Sequence, residues 1–154
     1  MSERTTAPLR RFEERPDGYR WQGVDRLAYK DDGAAPFRDV TRQTLFSRGD
    51  LAGELRYFEV APGGYSTLER HRHVHAVLIL RGGGTALVGE ETFAVGAFDL
   101  VTVPPGTWHQ FRAGTGGALG FLCMVDAKRD RPEVPDEAEL ARLRANPALA
   151  AFLR

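Results

Sequence analysis

A single cysteine, Cys123, in a chain of 154 residues excludes an internal disulfide. The opening stretch MSERTTAPLRRFEERPDG lacks the apolar run of a signal peptide. Together the two point to a reducing, cytoplasmic setting. No apolar run approaches the roughly 20 residues that a membrane helix needs, so no membrane partner is expected. An excess of one charge is missing as well, since Lys+Arg and Asp+Glu are both 21. That balance argues against nucleic acid or an anionic membrane surface as the main partner. Internal repeats and low-complexity segments are also absent. The length suits one domain, long enough to bury a core without covalent staples.

What is present changes in texture along the chain. Residues 1–40 are polar and punctuated by Pro and Gly, with Phe12, Tyr19, Trp21, Tyr29 and Phe37 scattered among them. Such an arm cannot build its own core, so its aromatics are expected to wrap onto the domain or onto a partner subunit. Over 41–126 the sequence turns to short β-favouring runs, among them ELRYFEV, AVLILRG, DLVTVPP and LGFLCMVD, broken by the turn signals APGG, RGGG, VGEE and PPGT. Strands at this spacing, with no helical pattern among them, predict an all-β barrel or sandwich. RGGG is read as a strand turn, because no helix follows it to make a phosphate loop. In 127–154, Asp136 and Glu139 form a capping-box pattern before Leu140, Ala141 and Leu143, and Asn146-Pro147 restarts a second short helix. A short helical tail bracing the barrel is expected there.

Histidine is scarce, yet three of the four histidines lie in the segment ERHRHVH, as His71, His73 and His75. The fourth, His109, follows the tight turn of VPPGTWHQF. Residues two apart on a strand share a face, so Glu69, His71, His73 and His75 would project together from a straight strand. Neutral imidazole is a ligand for Fe, Cu, Ni and Zn, and a metal is the economical explanation of the alternation. Arg70 and Arg72 alternate with these residues and should point away from them. Trp108 and Phe111 flank His109 and are candidates to line an apolar pocket over the metal, with ordinary barrel packing as the alternative. Cys123 shares parity with Leu119 and Phe121, which marks it as a buried structural thiol.

Residues 61–113 resemble the two-motif barrel of the cupin superfamily. The spacing Gly63, Glu69, His71, His75, Gly82 fits the first motif, with Glu69 where the first His is usual and His75 where the Glu is usual. Pro104, Gly106 and His109 match the second motif, while Phe98 replaces its opening Gly and Ala113 its closing Asn. Asp99 is the turn acid of that motif. His in place of the Glu is similar to the small four-histidine cupins, manganese-binding proteins among them. The resemblance implies a single-domain, cupin-type jelly-roll barrel, or double-stranded β-helix, with an extended N-terminal arm and a short helical tail. It also implies one divalent transition metal per chain from among Mn, Fe, Ni, Cu and Zn, with Mn or Fe first.

Two registers are open. If the inter-strand turn is two residues short, His71, His73, His75 and His109 are the ligands and Glu69 orients a ring from behind. If nothing is missing, Glu69 coordinates with His71, His75 and His109, and His73 lies in the turn. The four-histidine set is preferred, since it gives every histidine one purpose. An octahedral ion held by four protein ligands keeps two positions open, which suits a bidentate substrate or substrate plus dioxygen. The resemblance therefore implies a metal-dependent oxygenase or dioxygenase acting on a small organic molecule. A non-catalytic binding or sensing barrel is the alternative, and a metal-free barrel kept for assembly is a third reading. The expected assembly is a homodimer, with the arm covering a sheet edge.

Overall fold

The computed structural model describes residues 8–28 and 38–153. Tyr29 and Phe37 of the arm lie outside them. The described chain is nearly all β: β1 (Phe12–Arg15), β2 (Gly18–Trp21), β3 (Arg26–Ala28), β4 (Arg38–Phe46), β5 (Gly53–Tyr65), β6 (His75–Arg81), β7 (Gly83–Val88), β8 (Glu91–Gly96), β9 (Leu100–Val103), β10 (His109–Ala113) and β11 (Leu119–Asp126). Two helices close it, α1 (Glu137–Arg144) and α2 (Pro147–Phe152).

All the strand pairs are antiparallel, in the order β8-β7-β10-β5-β11-β6-β9, with β4 added to β5 and β3 to β4. The consecutive strands β6 and β7 are not neighbours, so the chain changes position in the sheet between them. That turn is made by Gly82, the closing glycine of the first motif. Its φ is +72°, and a Cβ there would stand 1.8 Å from the Ala118 carbonyl oxygen, so only glycine fits. The long β5 pairs with β4 and β11 along most of its length and meets β10 at its far end, where Tyr65 faces Arg112. The sheet therefore curls into the jelly-roll barrel expected.

Alternation sets the inside. Val77 and Ile79 of β6, Phe111 of β10, and Leu119, Phe121 and Val125 of β11 are buried in one cluster. Each such side chain contributes about 1.5–3 kcal/mol on burial. A second cluster joins Trp108 and Leu87 to Leu143, Leu149, Phe152 and Leu153 of the tail. The tail helices begin as the sequence predicts: the Asp136 carboxylate accepts from the Glu139 N–H at 2.8 Å, and Asn146 Oδ1 accepts from the Ala148 N–H with Pro147 at the helix start.

In the arm, β1 and β2 form a hairpin whose aromatics pack on the outside of the barrel. Trp21 lies 5.0 Å and Tyr19 6.0 Å, ring to ring, from the fully buried Tyr57 of β5. β4 begins at Arg38, within the segment that composition assigns to the arm.

Candidate metal centre

The curl brings both motifs to one end of the barrel. Glu69 and His109 exchange backbone hydrogen bonds in an isolated antiparallel bridge, at 3.2 and 3.0 Å, so their side chains leave the same face. The Gly106 N–H of the second-motif turn donates to the His71 carbonyl at 2.7 Å. His75 opens β6 opposite Val103, and His109 opens β10 opposite Val88. Backbone pairing of this kind fixes the ring positions before any metal binds.

His71, His75 and His109 converge, with their ligand atoms within 4.8 Å of one another. Their ring centroids stand 4.8, 4.8 and 4.9 Å apart, and the rings meet at 69–75°, around a common centre. In each ring the Nδ1 atom is already engaged: with the His73 carbonyl at 2.8 Å, with Cys123 Sγ at 3.0 Å, and with the Thr107 carbonyl at 2.9 Å. An N–H at Nδ1 donating to these acceptors leaves each Nε2 as the lone-pair nitrogen. His75 Nε2 is buried without a hydrogen-bond partner among the described residues. An orphaned acceptor at the centre of three imidazoles is what a cation would satisfy, and the donor set fits a borderline transition metal.

Burial keeps these rings neutral. It pushes His75 down to about 2, helped by the neighbouring His109, His71 and His73. It pushes His109 down to about 4 against the opposing pull of the Thr107 carbonyl and Glu69. His71 is also lowered, first by burial and then by His73. Neutral imidazole is the form that binds a metal.

The remaining sequence candidates fall in distinct places. His73 lies in the bend before β6, stacked on His71 at 3.6 Å and 4° between planes, and its ring centroid is 6.1 Å from that of His75. Its Nδ1 is 2.9 Å from Asp130, whose carboxylate also accepts from the backbone N–H groups of Arg72 and His73. Those contacts hold the Asp130 carboxyl well below the usual range, the Arg72 N–H first. Glu69 is buried and lines the same cavity as the histidines. Phe111 lines it too, whereas Trp108, one residue from His109 and so on the opposite face, packs against the tail with the Arg70 guanidinium 4.4 Å from its ring. Arg70 pairs with Glu133, and the Arg72 side chain is 92% exposed. Cys123 is buried, its thiol pushed up to about 12 by burial.

The cavity measures about 240 Å³. Its wall includes Phe58 and Phe121, and besides the histidines it carries Arg42, Arg56 and Arg129. The sequence reading missed these arginines. The signal was parity: Arg56 alternates with Phe58 and Val60, which places a guanidinium in an inward row of β5.

Comparison with known proteins agrees with this architecture. Residues 56–125 match the family model described as Cupin domain. The 1-methylthio-D-xylulose 5-phosphate methylsulfurylase of Rhodospirillum rubrum is 62% identical over 146 residues, which cover 95% of this chain and 92% of that protein. A cupin 2 conserved barrel domain protein from Rhodopseudomonas palustris superposes with a TM-score of 0.87 at 55% identity, covering 95% of this chain and 99% of the other. A cupin-2 domain protein from Rhodospirillum rubrum gives 0.83 at 61% identity, covering 95% and 96%. With its two motifs folded to one end of the barrel, and identity of this order along nearly its whole length, the chain belongs to the cupin superfamily.

Proposed function

We propose that this chain is a metal-dependent enzyme acting on a small phosphorylated methylthio ketose, the class of molecule in the name of its 62% identical relative. The observation that carries the metal part is the convergence of His71, His75 and His109, each with Nδ1 occupied and Nε2 left for a cation. One divalent ion per chain, Mn or Fe first, is the proposed cofactor.

For the fourth ligand, the ungapped register has more support. Glu69 is bridged to His109 and lines the cavity, whereas His73 sits in the bend with its ring tied to Asp130. Glu69 is therefore proposed as the fourth ligand, and His73 as the residue that steadies the His71 ring and supplies its carbonyl acceptor. This departs from the four-histidine set preferred from the sequence.

In a 1-methylthio-2-ketose the carbonyl and the neighbouring hydroxyl lie on adjacent carbons and form a natural bidentate pair, and the C1–sulfur bond is α to the carbonyl. With a thiol as co-reactant taking the methylthio group at sulfur to form a mixed disulfide, the C1–sulfur electron pair would stay on C1 as an enolate and take up the thiol's proton, and a divalent ion would supply Lewis acidity to the oxygen that carries the charge. The chain's own residues place the substrate: the apolar wall of Phe58, Phe111 and Phe121 suits a methylthio group and limits water. The oxygenase chemistry implied by the superfamily resemblance would use the same centre with dioxygen as second reactant. A cytoplasmic homodimer is part of the proposal, on the grounds of the single cysteine and the exposed apolar residues of the outer sheet face.

The test is to load the protein with manganese or iron, supply 1-methylthio-D-xylulose 5-phosphate together with a small thiol as methylthio acceptor, and follow the methylthio protons by NMR with an oxygen electrode in parallel. Loss of the substrate signal without oxygen uptake is expected. Stoichiometric oxygen uptake would move the assignment to a dioxygenase, and an unchanged substrate with either metal would overturn it.

A further inference from the structure

The cavity wall carries two chemically different groups of side chains. One is the histidines, with Glu69 and Asp130 as the acidic residues of the lining; the other is the three guanidinium groups of Arg42, Arg56 and Arg129. Arg42 of β4 stands opposite Phe58, two residues along β5 from Arg56, so the two arginines are diagonal cross-strand neighbours. Arg56 in turn stands opposite Cys123 of β11, whose sulfur touches the His75 ring. Only that one cross-strand step separates the cation cluster from the side chain beside the metal centre.

Among the described residues a single carboxylate is hydrogen-bonded to this cluster. Glu54, itself nearly buried, accepts from Arg56 at 3.3 Å and from Arg129 at 3.1 Å, and Arg129 donates also to the Asp126 carbonyl. Three guanidinium groups against one carboxylate leave a surplus of positive charge. The Nε atoms of Arg42 and Arg56 are buried with no hydrogen-bond partner among the described residues. Asp130 offers these arginines no hydrogen bond, since its oxygens are taken by the Arg72 and His73 N–H groups and the His73 ring. Burial, then the charges of Arg129 and Arg42, hold the Arg56 guanidinium below its ordinary value, with Glu54 opposing. Packing like charges in a partly buried wall is costly unless an anion completes the set.

We infer that Arg42, Arg56 and Arg129 form a subsite for the phosphate monoester of the substrate, which holds it with its reactive carbons at the histidines. The planar fork of arginine matches the oxygens of a phosphate, and three such forks around one dianion use donors that the protein leaves idle. Glu54 acts as the positioning residue that fixes two of the forks. The inference rests on the reading that the substrate is a ketose phosphate, which it deepens by assigning the residues that select the phosphorylated form.

The test titrates the full chain, with and without manganese, with D-xylulose 5-phosphate, D-xylulose and inorganic phosphate in a calorimeter. The phosphate ester should bind and D-xylulose should bind much more weakly. Arg42→Gln and Arg129→Gln should each weaken the ester roughly 10- to 100-fold, the worth of a charge-assisted hydrogen bond, and leave D-xylulose unchanged. Arg42→Lys and Arg129→Lys, which keep the charge but lose the fork, should fall between. Arg56→Gln is set aside, because Arg56 is the more deeply buried of the two partners of Glu54 and its replacement threatens the fold. Ester and free sugar binding alike, or glutamine variants of unchanged thermal midpoint that bind the ester normally, would overturn the subsite. Arginine-dependent ester binding in a protein that leaves 1-methylthio-D-xylulose 5-phosphate intact would keep the subsite and refute the proposed activity. Turnover with an unchanged KM in both glutamine variants would do the reverse.

Discussion

His71 and His75 are ligands in either register of ERHRHVH, so His71→Ala and His75→Ala should abolish most metal affinity, read by competition with a fluorescent chelator. Glu69→Ala should then lose more affinity than His73→Ala, whose effect passes through the ring stack and is expected at roughly 10- to 100-fold. The opposite order would restore the four-histidine set. The same rings set a pH dependence. In the unfolded chain imidazole titrates near 6.5, whereas in the folded, metal-free protein His109 is pushed down to about 4 and His75 to about 2. As pH falls, the unfolded state takes up protons first. Stability is therefore complete above about 6.5 and is lost progressively below it, by up to about 1.4 kcal/mol per pH unit for each histidine. Urea melts of the metal-free protein near pH 7.5 and pH 5.5 check this, and equal midpoints would contradict it. That these residues could hold a metal was legible in their alternation; which of them converge was not. A bend before β6 breaks the strand period that would have aligned all three.

At the scale of single elements, the turn before β9 departs from its motif. Phe98 stands where glycine is usual, at φ +72° and 75% exposed. A bulky residue in the left-handed region stores strain, and one this exposed recovers little by packing. Phe98→Gly should therefore stabilise the fold by about 1 kcal/mol, after the larger unfolded-state entropy of glycine is counted. Chemical denaturation measures it, and a destabilised variant would show that Phe98 packs on something beyond this chain. The β1–β2 hairpin has the opposite character. Trp21 covers Tyr57, and the Arg81 guanidinium, which pairs with Glu59 at 2.7 Å, lies 4.3 Å from the Tyr19 ring. Trp21→Ala should cost about 2 kcal/mol through lost burial over Tyr57, also read by denaturation. The arm's aromatics were visible in the sequence; their docking face was not, because polar alternation in β5 does not reveal which outer residues another segment covers.

Over the whole molecule, Leu100 of β9 and Met124 of β11 are 66% and 62% exposed on strands that flank β6. Large apolar residues left this open favour burial against another copy. Light scattering should give about twice the 17.1 kDa of one chain, and the single-chain mass would remove the homodimer from the proposal. The barrel itself was readable in advance, since strand alternation, turn glycines such as Gly82 and helix caps such as Asp136 are local rules that each segment obeys within its own few residues. The presence of a metal-binding pattern was local in the same sense. Which imidazoles share a centre, which way Trp108 faces, and that Arg42, Arg56 and Arg129 gather in the wall of one cavity were decided only by the tertiary structure. Those facts depend on cross-strand register between segments up to several dozen residues apart, and register is set by the packing of the whole sheet rather than by any stretch of it.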